Sequence, residues 1–379
     1  MRVFINSEKV AKRNIRQGNA IILQREDESG IIETMTITFE EFLHALTLYP
    51  VLRITSLLIL GVILVNGWTD APNAIASVVA TGGMSLKKAV RMAAVCNFAG
   101  LLAISFINTK VAFTIYHIAD FGNAREEALA ALCAALTAII LWSAAAWCFG
   151  IPTSESHALV AGISGAAIAI HHGMDGIHME EWIKVLYGLV ISVVFGIGFG
   201  WFGGKLAKFC QPKRWERLQC LGAGAMAFMH GAQDGQKFMG VFLLGVFLVQ
   251  GKMPEEAFGI PVWMMILCSV VMALGTMFGG ERIINTVGKD MVKLEKSQGI
   301  AADGAGVLCL LLAAWWGIPV STTHVKATAI MGVGLTEKEK TINKGIVKEM
   351  FLTWLITFPC CGIIGYLAAG IFIYLIQTP

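Results

Sequence analysis

Long apolar stretches punctuated by short polar clusters set the pattern of this chain. Apolar runs cover residues 51–81, 89–107, 128–172, 185–207, 218–250, 258–280, 301–334 and 346–376. A helix needs about 20 such residues to cross a hydrocarbon core of about 30 Å. The pattern therefore predicts an all-α polytopic membrane protein. Several runs are too long for one straight crossing, so they must hold broken helices or helical hairpins, for about 10–12 membrane segments in all. Ahead of them, residues 1–50 are polar and mixed in charge. Their alternating run IIETMTITF, followed by a short amphipathic stretch, predicts a small strand-and-helix appendage.

The polar clusters recur. NGWTDAPN (Asn66 to Asn73) pairs with HGAQDGQK (His230 to Lys237), and GIPTSESHALVAGISG (Gly150 to Gly165) pairs with GIPVSTTHVKATAIMG (Gly317 to Gly332) without a gap. Asp70 precedes His157 by 87 positions, and Asp234 precedes His324 by 90. A duplicated unit of about 165 residues follows, and paired polar interruptions of membrane segments mark transport sites. The expected layout is a polar extension (1–50), membrane repeat 1 (51–208), a basic cytoplasmic linker (209–217) and membrane repeat 2 (218–379).

Composition agrees with the membrane reading. Hydrophobic residues are 56% and charged residues 15% of the chain, with a mean hydropathy of +0.68; soluble domains average about 45–50% and about 25%. The nine cysteines lie in or beside apolar runs without metal-ligand spacing, so they read as packing residues. Basic loops stay in the cytoplasm. Loops 84–91, 203–217, 280–300 and 335–348 hold sixteen Lys or Arg, against four (Lys110, Arg125, Lys184, Lys252) in the alternate loops. This bias makes segment 51–81 enter from outside and segment 218–250 from the cytoplasm. The two repeats are then inverted, and the N-terminus, which has no signal-peptide pattern, is extracytoplasmic.

Ionisable residues inside the apolar runs are costly and face a cavity or a partner. Asp70, Glu155, His157, His230, Asp234, Lys237, His324 and Lys326 fall in the four clusters. Around Asp70, Gly67 and Pro72 should unwind the helix, because proline removes a donor and glycine frees the backbone. The freed carbonyls, with Asn66, Thr69, Asp70 and Asn73, would make an oxygen-rich nest suited to Na⁺ or a proton. Gln233, Asp234 and Gln236 offer a similar set, so Na⁺ is a candidate at both Asp70 and Asp234. In the other clusters, Pro presets a helix start carrying Thr153, Ser154 and Ser156, or Ser321, Thr322 and Thr323. Such helix starts offer unpaired N–H groups and hydroxyls to an oxyanion. Glu155, His157 and His324 are candidates for a proton relay, although each His also fits a role in fixing its hairpin. Lys237 and Lys326 could contact the anion or neutralise a carboxylate.

These motifs closely resemble those of the inorganic phosphate transporter (PiT) family. Gly67, Asp70, Asn73 and Ala74 match the family's Gly-Ala-Asn-Asp-Val-Ala-Asn-Ala, and His230 to Lys237 match its His-Gly-Ala-Asn-Asp-Ala-Gln-Lys. Its hydroxyl hairpins look like Pro152 to His157 and Pro319 to His324, and the resemblance spans about residues 50–376. It implies an inverted-repeat symporter of the cell membrane, usually a homodimer, that moves phosphate with Na⁺ or H⁺. Asn73, Gln236, Lys237 and the six hydroxyls would bind substrate, and Asn66, Thr69, Asp70, Gln233 and Asp234 would bind the cation. No cofactor beyond the coupling ion and no nucleic acid partner is expected. The chain departs from the family pattern at Thr69 and Gln233, where Asn commonly precedes each Asp, and at Glu155, within a cluster that is often all hydroxyl.

Charge favours symport. Asp70, Glu155 and Asp234 outnumber Lys237 and Lys326, and an oxyanion adds to the excess. Unit charges 4 Å apart interact by about 4 kcal/mol even at an effective dielectric of about 20, so cations must enter with the anion. Two other readings are a sulfate symporter of the same superfamily and, remotely, an intramembrane hydrolase using Ser156, His157 and Asp70.

Overall fold

The computed structural model describes residues 37–122, 124–209, 215–250, 259–278, 280–337 and 342–377, with the backbone of two short antiparallel strands, β1 (Arg16–Gln17) and β2 (Ala20–Ile21). Fourteen α-helices follow among the described residues. They are α1 (Phe39–Leu48), α2 (Pro50–Thr69), α3 (Ala71–Ala80), α4 (Leu86–Ile107), α5 (Lys110–Tyr116), α6 (Arg125–Phe149) and α7 (Glu155–His171). Then come α8 (Met179–Ala207), α9 (Trp215–Gln250), α10 (Val262–Met277), α11 (Glu281–Asn285), α12 (Lys296–Trp316), α13 (Thr322–Gly334) and α14 (Lys344–Gln377). The chain is an all-α, multi-pass membrane protein.

Six helical spans are long and apolar enough to cross a membrane, or seven if Val262–Met277 and Glu281–Asp290, bent by 69°, count together. That is fewer than the 10–12 segments expected from the apolar runs. The difference lies in α7 and α13, of 17 and 13 residues and so at most about 25 Å long at 1.5 Å per residue, in the 36-residue α9, whose polar centre keeps it out of the count, and in α2 and α3, which count as one span. The spans carry their apolar side chains outward, as Leu57, Val95, Val194, Leu355, Leu367 and Ile371 show, and their polar side chains inward, the arrangement that lipid requires.

Two hairpins shape the centre. Each begins with a helix closed by a left-handed glycine, Gly150 and Gly317, both at φ 71°. The next N–H then reaches back across the helix end, from Ile151 to the Ala146 carbonyl (3.1 Å) and from Ile318 to the Ala313 carbonyl (2.9 Å). Each returning helix starts three residues beyond the proline, so Pro152 and Pro319 lie before the helix rather than in its first turn. Ser154 and Ser321 cap it instead, accepting from His157 N (3.3 Å) and His324 N (3.2 Å).

The halves interlock by exchange. α7 packs on α14 while α13 packs on α8; α4 packs on α9 while α10 packs on α2; α6 packs on α2 and α14 while α12 packs on α9 and α8. Every one of these contacts maps onto its counterpart when the two sequence repeats are swapped. Close approach depends on small residues. A Cβ on Gly165 would sit 2.9 Å from the Gly362 carbonyl carbon, and one on Gly231 would sit 2.7 Å from Asn97 Cα.

At the N-terminus, α1 starts with a reciprocal cap: Thr38 Oγ1 accepts from Glu41 N (3.2 Å), and Glu41 Oε2 accepts from Thr38 N (2.8 Å). Phe42 stacks on Trp263, 4.7 Å between ring centres, which docks α1 on the membrane body. The first part of the alternating run, residues 31–36, lies outside the described residues.

Candidate functional site

The four clusters meet in the interior. All nineteen polar residues singled out from the four clusters are buried, none more than 5% exposed, although they do not all share one set of contacts.

Asp234 on α9 is the hub. Its Oδ1 accepts from Lys237 Nζ at 2.6 Å, and its Oδ2 accepts from Asn66 Nδ2 (3.2 Å) and Thr322 Oγ1 (3.0 Å), with His230 Nε2 3.3 Å away. Lys237 Nζ also donates to Ser156 Oγ and to the Val320 carbonyl, each at 2.6 Å. One ammonium therefore bridges α9 to the tips of both hairpins. Thr69 Oγ1 reaches Glu155 Oε1 at 2.7 Å, and Asn73 Nδ2 donates to Thr323 Oγ1 at 3.0 Å. Asp70 faces Glu155, Asp234 and the Thr323 hydroxyl.

Three acceptor oxygens of this cluster, Asn66 Oδ1, Asn73 Oδ1 and Glu155 Oε2, are buried without a hydrogen-bond donor. Buried acceptors are normally satisfied. A hard cation, or a ligand that brings its own protons, meets that need.

The local backbone differs from the expected nest. Asp70 is a single-residue offset between α2 and α3, with φ −97° and ψ −39°; its N–H bonds Asn66 O (2.9 Å) and its carbonyl accepts from Asn73 N (3.0 Å). Pro72 withdraws the helical donor only from the Trp68 carbonyl, so the interruption frees far less backbone than an unwound turn would. In the second half no break forms, and α9 runs through His230 to Lys237 as one helix of 36 residues. Without a proline, its polar residues are accommodated by side-chain partners alone.

The remaining expected residues have other attachments. Thr153 Oγ1 accepts from Trp142 Nε1 (3.1 Å) and lies 3.1 Å from Thr357 Oγ1. Ser154 and Ser321 are spent as caps. Gln233 Nε2 donates to the Leu310 carbonyl at 3.4 Å and Gln236 Nε2 to the Asn108 carbonyl, tying α9 to its neighbours. His157 and His324 meet ring to ring at 4.5 Å, nearly perpendicular. Phe358 stacks on the first (4.6 Å) and Trp354 on the second (3.7 Å), so α14 clasps both. The Ser156, His157, Asp70 trio is not assembled as a hydrolase needs: Ser156 serves Lys237, while the His157 ring packs against Phe358 and His324.

Both lysines pair with carboxylates. Lys237 takes Asp234, but Lys326 takes Asp303 of α12, which the sequence reading passed over. His230, read only as part of its motif, is also held in place, with Nδ1 3.1 Å from Asn97 Oδ1. A lysine inside an apolar segment demands a carboxylate, and Asp303 is the carboxylate near the start of the same apolar run, 301–334. That was the available signal.

The model of the family described as "Phosphate transporter family" matches the chain twice, at residues 66–216 and 210–365. The chain belongs to the phosphate transporter family. Similar proteins include one from Bacillus subtilis (strain 168) named a probable low-affinity inorganic phosphate transporter, 36% identical over 80% of this chain and 92% of its own length. Another, of the same name, is from Rhizobium meliloti (strain 1021), 36% identical over 80% of this chain and 90% of its own length. A solved structure described as "The sodium-dependent phosphate transporter" has the same fold, with a TM-score of 0.75 and 22% identity, covering 87% of this chain and 100% of that one. Membership of the family makes this chain a transport protein rather than an enzyme, with phosphate as its transported substrate.

Proposed function

We propose that this phosphate transporter family member is a secondary active symporter that moves inorganic phosphate with Na⁺ or H⁺, by alternating access to the central cluster. The observation that carries this reading is the Asp234–Lys237 pair, bonded at once to α2, α7 and α13 and to the backbone before α13. Elements of both repeats thus share one buried set of charges, where a bound ligand would touch both.

In this mechanism a cation neutralises Asp70 or Asp234 and satisfies the acceptor oxygens of Asn66, Asn73 and Glu155. Phosphate then lies between the helix starts of α7 and α13, facing Ser156, Thr322, Thr323 and Lys237. The loaded site opens alternately to the two sides as one repeat rocks against the other. The distribution of Lys and Arg supports inverted repeats, a cytoplasmic 209–217 linker and an extracytoplasmic N-terminus, and the exchanged packing supports a duplicated fold. The structural neighbour is described as sodium-dependent, which favours Na⁺, and the family resemblance favours a homodimer in the cell membrane.

Purified protein in liposomes, with sodium and proton gradients imposed separately, tests the proposal. Labelled phosphate should accumulate under one of the two gradients, and a tenfold excess of sulfate, which cannot donate a proton to Asp70 or Asp234, should leave uptake nearly unchanged. Uptake that ignores both gradients would reject symport; strong inhibition by sulfate would move the substrate to sulfate.

A further inference from the structure

Beyond the central cluster, a second buried charge group lies one turn along α3 and α13. Ser77 Oγ donates to Asp303 Oδ1 at 2.6 Å, Lys326 Nζ donates to Ser77 Oγ at 3.0 Å, and Lys326 pairs with Asp303 directly. All three are fully buried, and Asp303 Oδ2 has no hydrogen-bond partner.

The placement is systematic. Asp70, Asn73, Ser77 and Thr81 recur at intervals of three or four, which puts them on one face of α3. Along that face the polar contacts form rungs between α3 and α13, first Asn73 with Thr323, then Ser77 with Lys326. Successive rungs are about 5.4 Å apart, one helical turn. The next group outward is Thr81, which bonds the Ser77 carbonyl at 2.8 Å and accepts from Gln219 Nε2. Beyond it lie the Gly82–Ser85 turn and the basic residues Lys87, Lys88 and Arg91.

The other repeat has no such group. At the offset relating Asp70 to Asp234, Ser77 corresponds to Val241; at the offset relating His157 to His324, Asp303 and Lys326 correspond to Leu136 and Leu159. All three counterparts are apolar and buried. A group needed only to hold the duplicated scaffold would be expected in both copies. This one is present on one side of the centre alone, where the polar face of α3 leads toward the basic loop.

We propose that Lys326, with Ser77 and Asp303, is a second oxyanion station, which receives phosphate between the central cluster and the face bearing Lys87, Lys88 and Arg91. The inference rests on the transporter reading above. Between passages the Asp303 carboxylate offsets the ammonium charge. An incoming phosphate competes for Lys326, and repulsion from the Asp303 carboxylate keeps the stay short. Conduction requires such a balance, tight enough to enter and weak enough to leave.

The test is Asp303→Asn combined with Lys326→Met. Removing both charges leaves no unpaired ion, and replacing a buried pair in this way is commonly tolerated. Equilibrium binding of labelled inorganic phosphate to the purified double variant should stay within about twofold of wild type, while uptake into liposomes should fall by about tenfold or more, a loss in translocation rather than in central binding. Wild-type uptake by the double variant would overturn the station. So would loss of phosphate binding together with uptake, since the pair would then be support for the central cluster. Absence of phosphate uptake by the wild-type protein would instead sink the transporter reading, and this inference with it.

Discussion

Asn66 Nδ2 donates to Asp234 Oδ2 at 3.2 Å, joining residues 168 positions apart that belong to matching motifs. The carboxylate of one repeat is thus read by the amide of the other, while Asp70 faces Asp234 from the junction of α2 and α3. Asp70→Asn and Asp234→Asn keep the shape and remove the charge. Hydrogen bonds to charged groups are worth about 1.5–3 kcal/mol, so cation-dependent phosphate uptake should fall by about 10–100-fold in each variant. Proteoliposome uptake measures this, and undiminished transport by both would reject cation coupling at these sites.

Lys237 holds three oxygens at 2.6 Å from two hairpin tips and its own helix. Lys237→Met strands Asp234 as an unpaired buried charge, at a cost of about 3–5 kcal/mol. Thermal unfolding in detergent should show a large drop. Adding Asp234→Asn to Lys237→Met should restore most of the stability without restoring transport; recovery of both would assign the pair to structure alone.

The hydroxyls at the helix starts divide by partner. Thr322 bonds Asp234 within the cluster, whereas Thr153 is held between Trp142 and Thr357. Thr322→Val should weaken apparent phosphate affinity by about tenfold, the loss of one charge-assisted hydrogen bond. Thr153→Val should lower the unfolding temperature and leave phosphate KM close to wild type. A reversed pattern would place the substrate on the wrong side of the α7 start.

Gly165 and Gly362 bring α7 and α14 together at backbone distance. A Cβ on Gly165 would lie 2.9 Å from the Gly362 carbonyl carbon, and backbone cannot swing away as a flexible side chain can. Gly165→Ala should therefore destabilise the protein by about 1–3 kcal/mol. An unfolding temperature equal to wild type would show that the helices have room to separate.

The motifs were legible because polar residues in apolar runs are conspicuous, and because each occurs twice at matching spacing. Their gathering around Asp234 follows from that pattern. The continuity of α9 does not: Gln233, Asp234 and Gln236 read as a second interruption, yet the helix runs through them, and Gly231 and Gly235 let α4 approach, with Asn97 against Gly231 and Leu101 against Gly235. Whether a polar run bends a helix depends on its neighbours, which a linear pattern does not contain. Thr153 and Gln236 looked equivalent to Ser156 and Lys237 for a similar reason. Gln236, one position from Lys237, points to a different helix, and Thr153 lies before the first turn of α7, off the helical face that carries Ser156. Asp303 stands near the end of a basic loop, and only its contact with Lys326, 23 residues later, marks it as a buried partner.

The column of rings formed by Phe358, His157, His324 and Trp354 has a mechanical consequence. Its two outer members sit four residues apart on α14, and each inner member rides on a different hairpin. Neither tip can swing far without parting the stack or dragging its twin. In the alternating-access reading proposed above, the column would gear the two hairpin tips through a single shaft, so that both sides of the centre could not open together and let ions leak down their gradients with no cargo moved.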